Sequence, residues 1–384
     1  MNIGRWLPLA LLALASPALA APPITSAATL ERYLALHVDQ SSPLDALPPG
    51  ARARFLAGIR FGNGRAQPAL TELGLLSREQ GRRILGLFGM EALADNPSLE
   101  WASMPVPMPA TISPFEARYN RYLLGDARPA LATAFPELDD PAAIGRLSDY
   151  ELRLLLRLLR QTQFEQMRAD HVDAVLQAAA ELQRRGTLPA SGRSLPFDTL
   201  LLARRFDDAR RYAQRHALPA AARFETQAAP PGGALVWRQQ AGPLAWKPAP
   251  IDLTPAQVLV LAGCHFSEEA ATLIEQDPVL GPVFAGHATW LAAPPGIEDM
   301  AAVGDWNQRH PTQPILPIHD RDGWPLLPAD WEMPTFLTVR DGRVIEQLRG
   351  LPAGDDGQRE RLLAMLRQAG LLPPVNEASP QPAP

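Results

Sequence analysis

Cys264 is the residue of this chain best suited to covalent chemistry, and it is the sole cysteine among 384 residues. An apolar run, Val258-Leu-Val-Leu-Ala262, leads through Gly263 into the tetrapeptide Cys264-His265-Phe266-Ser267. The run has the unbroken hydrophobicity of a strand buried on both faces. The residues from about His265 to Ile274 then read as a helix. A cysteine at such a junction faces unpaired backbone N–H groups and the positive end of the helix dipole, and both favour thiolate over thiol. Ser267 can donate a hydrogen bond to the sulfur, and a protonated His265 would add positive charge nearby. Attack on a disulfide sulfur, giving a mixed disulfide, is the reaction these residue types could perform. A lone thiol closes no internal disulfide, so an outside thiol or the substrate itself must reopen the mixed one.

The elements needed to hold this thiol are present in order. A second strand reads at His287-Ala-Thr-Trp-Leu-Ala292, a helix over 297–309 and an extended piece at Pro314–Ile318. Met333-Pro334 opens a strand over 335–339, Asp341-Gly342 makes a tight turn, and 344–348 returns. An amphipathic helix over 355–371 closes the region. A strand leading into Cys-x-x-Ser at a helix start, and a proline opening a hairpin roughly seventy residues later, together resemble the thioredoxin family over about 234–372. The resemblance implies an α/β domain at 226–372 with a cis Pro334 facing Cys264. Such a proline presents a backbone edge on which an extended substrate segment docks. The segment from Pro314 to Trp331 looks more like the periplasmic members of the family than the minimal fold.

Three departures from the family bear on chemistry. Ser267 stands where the second cysteine would be, which excludes a two-cysteine mechanism. Gly263 replaces the aromatic residue that often precedes the first cysteine. Val258 occupies a position where many members keep a buried acid, so that proton acceptor is expected to be missing.

The rest of the chain reads as export signal and helices. Arg5, the apolar run Trp6–Ala15 and the Ala-x-Ala pattern at Ala18–Ala20 predict a signal peptide at 1–20 and a periplasmic, or secreted, mature protein. No later run reaches the ~18 apolar residues of a spanning helix, so no stable membrane insertion is expected. Residues 21–225 predict an α-helical domain. Helices are expected through 49–90, broken at Gly62-Asn-Gly64, with one over 68–76 and another opened by a capping box at Ser77. The clearest helix begins at Ser148 and puts Leu152, Leu155, Leu156 and Leu159 on one face. Two helices meet near Phe206, and the stretch 148–216 weakly resembles a tetratricopeptide-type hairpin. Such helices either grip a protein partner or only pack on their neighbour, and the sequence leaves both open. A β-hairpin is expected around Gln239–Pro243, and a disordered Pro-rich tail at 373–384.

A net charge of -5 gives no basic footprint for nucleic acid. His287, His310 and His319 show no metal-ligand spacing, and no cofactor is expected. The fold class expected is therefore multidomain α and α/β, an all-α N-terminal domain followed by a thioredoxin-like one. Two functions stand side by side. One is monothiol exchange through Cys264, Ser267, Pro334 and His265 on exported proteins carrying a disulfide or free thiol. The other is a non-catalytic binding protein with a degenerate thioredoxin-like domain.

Overall fold

The computed structural model describes residues 22–38, 40–97, 99, 101–102, 109–125, 129–219, 222–225, 233–240 and 245–374. The expected signal at 1–20, the tail from 375 and residues 241–244 of the expected hairpin turn lie outside them. The chain divides into two compact units, 1–112 and 113–384. Its architecture is mixed, with helices throughout and sheets concentrated in the second unit.

The first unit contains α1 (Ala27–Leu36), α2 (Pro49–Ala57), a hairpin of β1 (Arg60–Gly62) and β2 (Arg65–Gln67), and α3 (Arg78–Gly86). Ser26 caps α1, and Ser77 caps α3 through a reciprocal box with Gln80. The hairpin replaces what periodicity suggested was only a break between helices. Asn63 and Gly64 both take positive φ there, 51° and 69°, which is the turn that matches strand twist. The helix expected over 68–76 is a tighter 3-10 segment, Leu70–Leu75. Buried Glu72 on that segment accepts from two nitrogens of the buried Arg54 guanidinium, Nε at 3.1 Å and Nη2 at 2.9 Å. A buried pair of this kind is costly to break singly, because the remaining charge is left without its partner.

The second unit opens with helices: α4 (Pro114–Leu124), α5 (Leu131–Ala134), α6 (Pro141–Arg146), α7 (Asp149–Gln166), α8 (Val172–Arg184), α9 (Ala190–Leu202) and α10 (Phe206–Arg215). Ser113 caps α4 with Pro114 at its first position, and Ser148 caps α7 with Glu151. The expected leucine stripe of α7 is buried, and so are Leu154 and Leu158. The helix is therefore central rather than half-exposed.

Strands and helices then alternate: β3 (Arg223–Phe224), β4 (Leu235–Gln239), β5 (Ala245–Pro250), β6 (Gln257–Leu261), α11 (His265–Gln276), α12 (Leu280–His287), β7 (Ala288–Ala292), α13 (Met300–Arg309), β8 (Ile315–Pro317), β9 (Thr335–Arg340), β10 (Arg343–Arg349) and α14 (Asp356–Gln368). β3, β5 and β4 form one small sheet. The main sheet has the order β10-β9-β6-β7-β8, with β6, β7 and β8 parallel and β9 antiparallel to β6 and β10.

All five residues of β6 are buried, because side chains leave a strand alternately to two covered faces. Val258, Val260 and Ala262 join a core with Ala270, Ala271 and Ile274 of α11 and Leu362 and Leu366 of α14. Leu259 and Leu261 join the opposite core with Trp324, Leu327 and Leu337. Helices α9 and α10 share the first of these cores through Leu200, Leu201, Phe206, Ala209 and Tyr212. Phe206 stacks on Phe224 at 4.4 Å and meets Trp237 edge-on at 5.4 Å. The expected domain start at 226 thus falls inside the second unit.

Gly81 in α3 gives a test of packing against propensity. A β-carbon there would lie 1.8 Å from the Trp101 ring, whose Nε1 donates to the Ala94 carbonyl at 3.2 Å. Helix propensity alone favours Gly81→Ala by about 1 kcal/mol. The clash should reverse the sign and cost about 1–3 kcal/mol. Urea denaturation of the two proteins decides it, and an alanine variant more stable than the parent would refute this account of the packing.

Candidate functional site

Cys264 is the N-cap of α11, with extended backbone at φ -109° and ψ 169°. Its carbonyl accepts from the backbone N–H of Ser267 at 3.0 Å and of Glu268 at 3.2 Å, so the helix starts directly under the thiol. The sulfur itself has two polar neighbours. Ser267 Oγ lies 3.3 Å from Sγ, and the Met333 carbonyl lies 3.7 Å away. Ser267 is fully buried, whereas Cys264 is half-buried. The hydroxyl is therefore held at the sulfur of a partly exposed residue. In the thiol form S–H can donate to the Met333 carbonyl. In the thiolate form the serine O–H can donate to sulfur, a charge-assisted bond of the stronger kind.

The Met333–Pro334 bond is cis, and Pro334 is buried at the head of β9. Strand register brings it to the thiol: Leu261, the last residue of β6, pairs with Thr335. The Pro334 carbonyl accepts from Gly350 N–H at 2.9 Å, which ties the loop to the end of β10. Cys264, Ser267 and Pro334, chosen from sequence alone, thus meet at one place. His265 does not join them. Its side chain is 76% exposed, and Nε2 contacts Glu269 Oε1 at 2.8 Å one turn along α11. Its charge, when protonated, is met by that carboxylate. Phe266 beside it is also exposed, at 66%.

The site includes a group that sequence reasoning missed. Glu298 stands on the turn between β7 and α13, its backbone N–H donating to the Pro294 carbonyl at 3.1 Å. Its carboxylate lies against Gly263, so that a β-carbon on residue 263 would be 2.7 Å from Glu298 Oε2 and 3.5 Å from Met333 Sδ. Gly263 has φ +142°, a conformation that few other residues adopt. Glycine before the cysteine therefore does two jobs: it makes the turn, and it leaves room for the acid. Burial pushes the Glu298 carboxyl up to about 7, with the neighbouring Asp299 charge adding to the shift and a hydrogen bond from the Asp299 backbone opposing it. The missing acid at position 258 has no counterpart on β6, but an acid does reach the site from another element. The one signal in sequence was the unusual Gly263 itself.

The helical layer touches the same turn. A β-carbon on Gly296 would lie 2.1 Å from the Asp198 carbonyl and 2.8 Å from Leu202 N, so α9 packs directly on the turn's backbone. Burial raises the Asp198 carboxyl to about 6, against the pull of Arg160 and a bond from Ser194, and Asp299 raises it further. Among the described residues no cluster of three or more His, Cys, Asp or Glu side chains is spaced to hold a metal ion. His310 instead faces Glu275 at 3.2 Å, and His319 faces Asp320 at 2.7 Å. Among the described residues no helix is long and apolar enough to cross a membrane.

The raised carboxyl has a stability consequence. A folded value above the unfolded one stabilises the protein below about 4.5, and that contribution is lost as pH rises to about 7. Glu298→Gln removes the loss, so the variant should be more stable than the parent at pH 8 by on the order of 3 kcal/mol. At pH 4 the two should nearly coincide. Denaturant midpoints at both pH values measure this, and an equal offset at both would contradict it. Comparison of the chain with protein-family models, with curated proteins and with solved structures gives no match.

Proposed function

We propose that this chain is an exported, thioredoxin-like protein that exchanges thiols and disulfides through Cys264. The observation that carries the reading is the setting of the sulfur, half-buried at a helix start between the Ser267 hydroxyl at 3.3 Å and the Met333 carbonyl at 3.7 Å. A cysteine serving only as a small hydrophobe would sit among apolar side chains. The sheet order supports the reading, with the cysteine at the end of the central strand and the cis proline at the head of its antiparallel neighbour. The substrate is read as another exported protein with an exposed disulfide or thiol.

In the proposed exchange, Cys264 thiolate attacks one sulfur of the substrate disulfide. A bond forms between Sγ and that sulfur, and the substrate S–S bond breaks. The second substrate sulfur departs with the electron pair and takes up a proton. Ser267 holds the attacking sulfur by its O–H, and the chain at Met333–Pro334 lies beside the incoming segment. A second thiol, from outside or from the same substrate, then releases Cys264. No electrons are gained or lost overall, so the cycle suits isomerisation or the holding of a substrate.

The test is mixed-disulfide formation by the folded protein with oxidised glutathione, followed by mass spectrometry. Parent protein should gain one glutathione and Cys264→Ala none. Ser267→Ala should react about tenfold more slowly at pH 7, the effect of losing one hydrogen bond to a charged group. A parent thiol that reacts only after unfolding would end the exchange reading and leave a binding protein in its place.

A further inference from the structure

We propose that Glu298 carries the proton for the exchange at Cys264, an inference that rests on the exchange reading above. The carboxylate reaches the site over Gly263, the residue joined to Cys264, with Oε2 only 2.7 Å from where a β-carbon of that residue would stand. Met333 closes the same space from the other side, its Sδ 3.5 Å from that point and its carbonyl 3.7 Å from the sulfur. Gly263, Met333, Glu298 and the thiol thus converge from three separate loops. The converging loops also place the acid where water has little access, which is the reason its proton is held up to about 7.

Other charged groups near Glu298 do not take over this role. Asp299 caps α13 by accepting from Ala301 N–H at 2.9 Å. Asp198 on α9 faces Asp299 and is countered by Arg160 of α7 and by Ser194. Glu332, next to Met333, is paired with Arg349 at 2.5 Å. His265 is paired with Glu269 on the exposed side of α11. Glu298 is left as the acid beside Gly263 whose buried position suits proton transfer near neutral pH.

The proton balance is simple. The Glu298 carboxylate takes the proton from Cys264 S–H through one water, leaving the thiolate that attacks the substrate disulfide. The bond from Sγ to the near substrate sulfur forms while the substrate S–S bond breaks. The far sulfur leaves with the electron pair and receives the proton now held by Glu298. The carboxylate is regenerated, and the release step runs the same transfers in reverse.

The experiment compares two reactions of the folded protein between pH 5 and 9. One is mixed-disulfide formation with oxidised glutathione, which needs a proton returned to the leaving sulfur. The other is alkylation by iodoacetamide, whose leaving iodide needs none. Divided by the alkylation rate at the same pH, so that the thiol's own ionisation cancels, the parent's exchange rate should fall on the alkaline side of about pH 7, where Glu298 has lost the proton it returns to the leaving sulfur. Glu298→Gln should abolish that limb and slow exchange at pH 7.5 by about tenfold, while alkylation at pH 9 changes by less than about twofold. Glu298→Asp should restore part of the rate. A glutamine variant whose exchange profile superimposes on the parent's overturns the inference and leaves the exchange reading intact. Equal slowing of both reactions also overturns it, since a purely structural effect acts on both. A parent thiol inert to glutathione disulfide removes the exchange reading and this inference together. If the glutamine variant does not fold, the aspartate variant serves, and an exchange limb unmoved from the parent's overturns the inference.

Discussion

Strand β6 is hydrogen-bonded along both edges and buried on both faces, and that double burial fixes where the thiol can stand. Its alternating side chains enter two different cores, so a slip of one residue would exchange every contact. Its register with β9 sets Leu261 opposite Thr335, which carries Met333 and Pro334 to the same end of the sheet as Cys264. Residues some seventy positions apart in sequence meet because of this pairing, and the contact of the Cys264 sulfur with the Met333 carbonyl follows from it. The start of α11 then follows at once, and its first turn presents Ser267 from beneath. The polar contacts at the sulfur are thus consequences of apolar packing further down the strand.

Against this rigid frame, the turn between β7 and α13 is the polar part of the site. It is hemmed in by α9 at Gly296 and by the cysteine loop at Gly263, two positions where a side chain would collide with its neighbours. Closing both gaps draws water away from Glu298 and from Asp198. The protein accepts two carboxyl groups that resist ionisation, which lowers its stability at neutral pH. Groups held in such a state tend to gather where chemistry is done, although structural clusters can produce them too.

Much of this was legible in the chain. Continuous hydrophobicity gave β6, Ser77 and Ser148 gave the starts of α3 and α7, and the spacing of Cys264, Ser267 and Pro334 gave three residues that meet. Local signals were weaker where geometry had to be supplied by distant parts. Asn63-Gly64 looked like an interruption between helices, since the strands it joins are only three residues each. The burial of Leu154 and Leu158 depends on helices on several sides of α7, which no single periodic stripe reveals. Glu298 sits in a short turn with nothing in its own neighbourhood to mark it, and it becomes visible only when Gly263 is seen to make room for it. His265 adjoins the thiol in sequence, but the rotation of an α-helix turns it outward to Glu269.

Ser267 has a consequence for time as well as for chemistry. In a site with two thiols, the second attacks the mixed disulfide from a fixed position, at an effective concentration far above that of any dissolved thiol. The buried serine occupies that position here and cannot attack. For the proposed exchange, the lifetime of a captured partner is then set from outside, by how often a free thiol arrives. Such a site would behave as a gauge of its surroundings, holding on in an oxidising compartment and letting go as reductant accumulates.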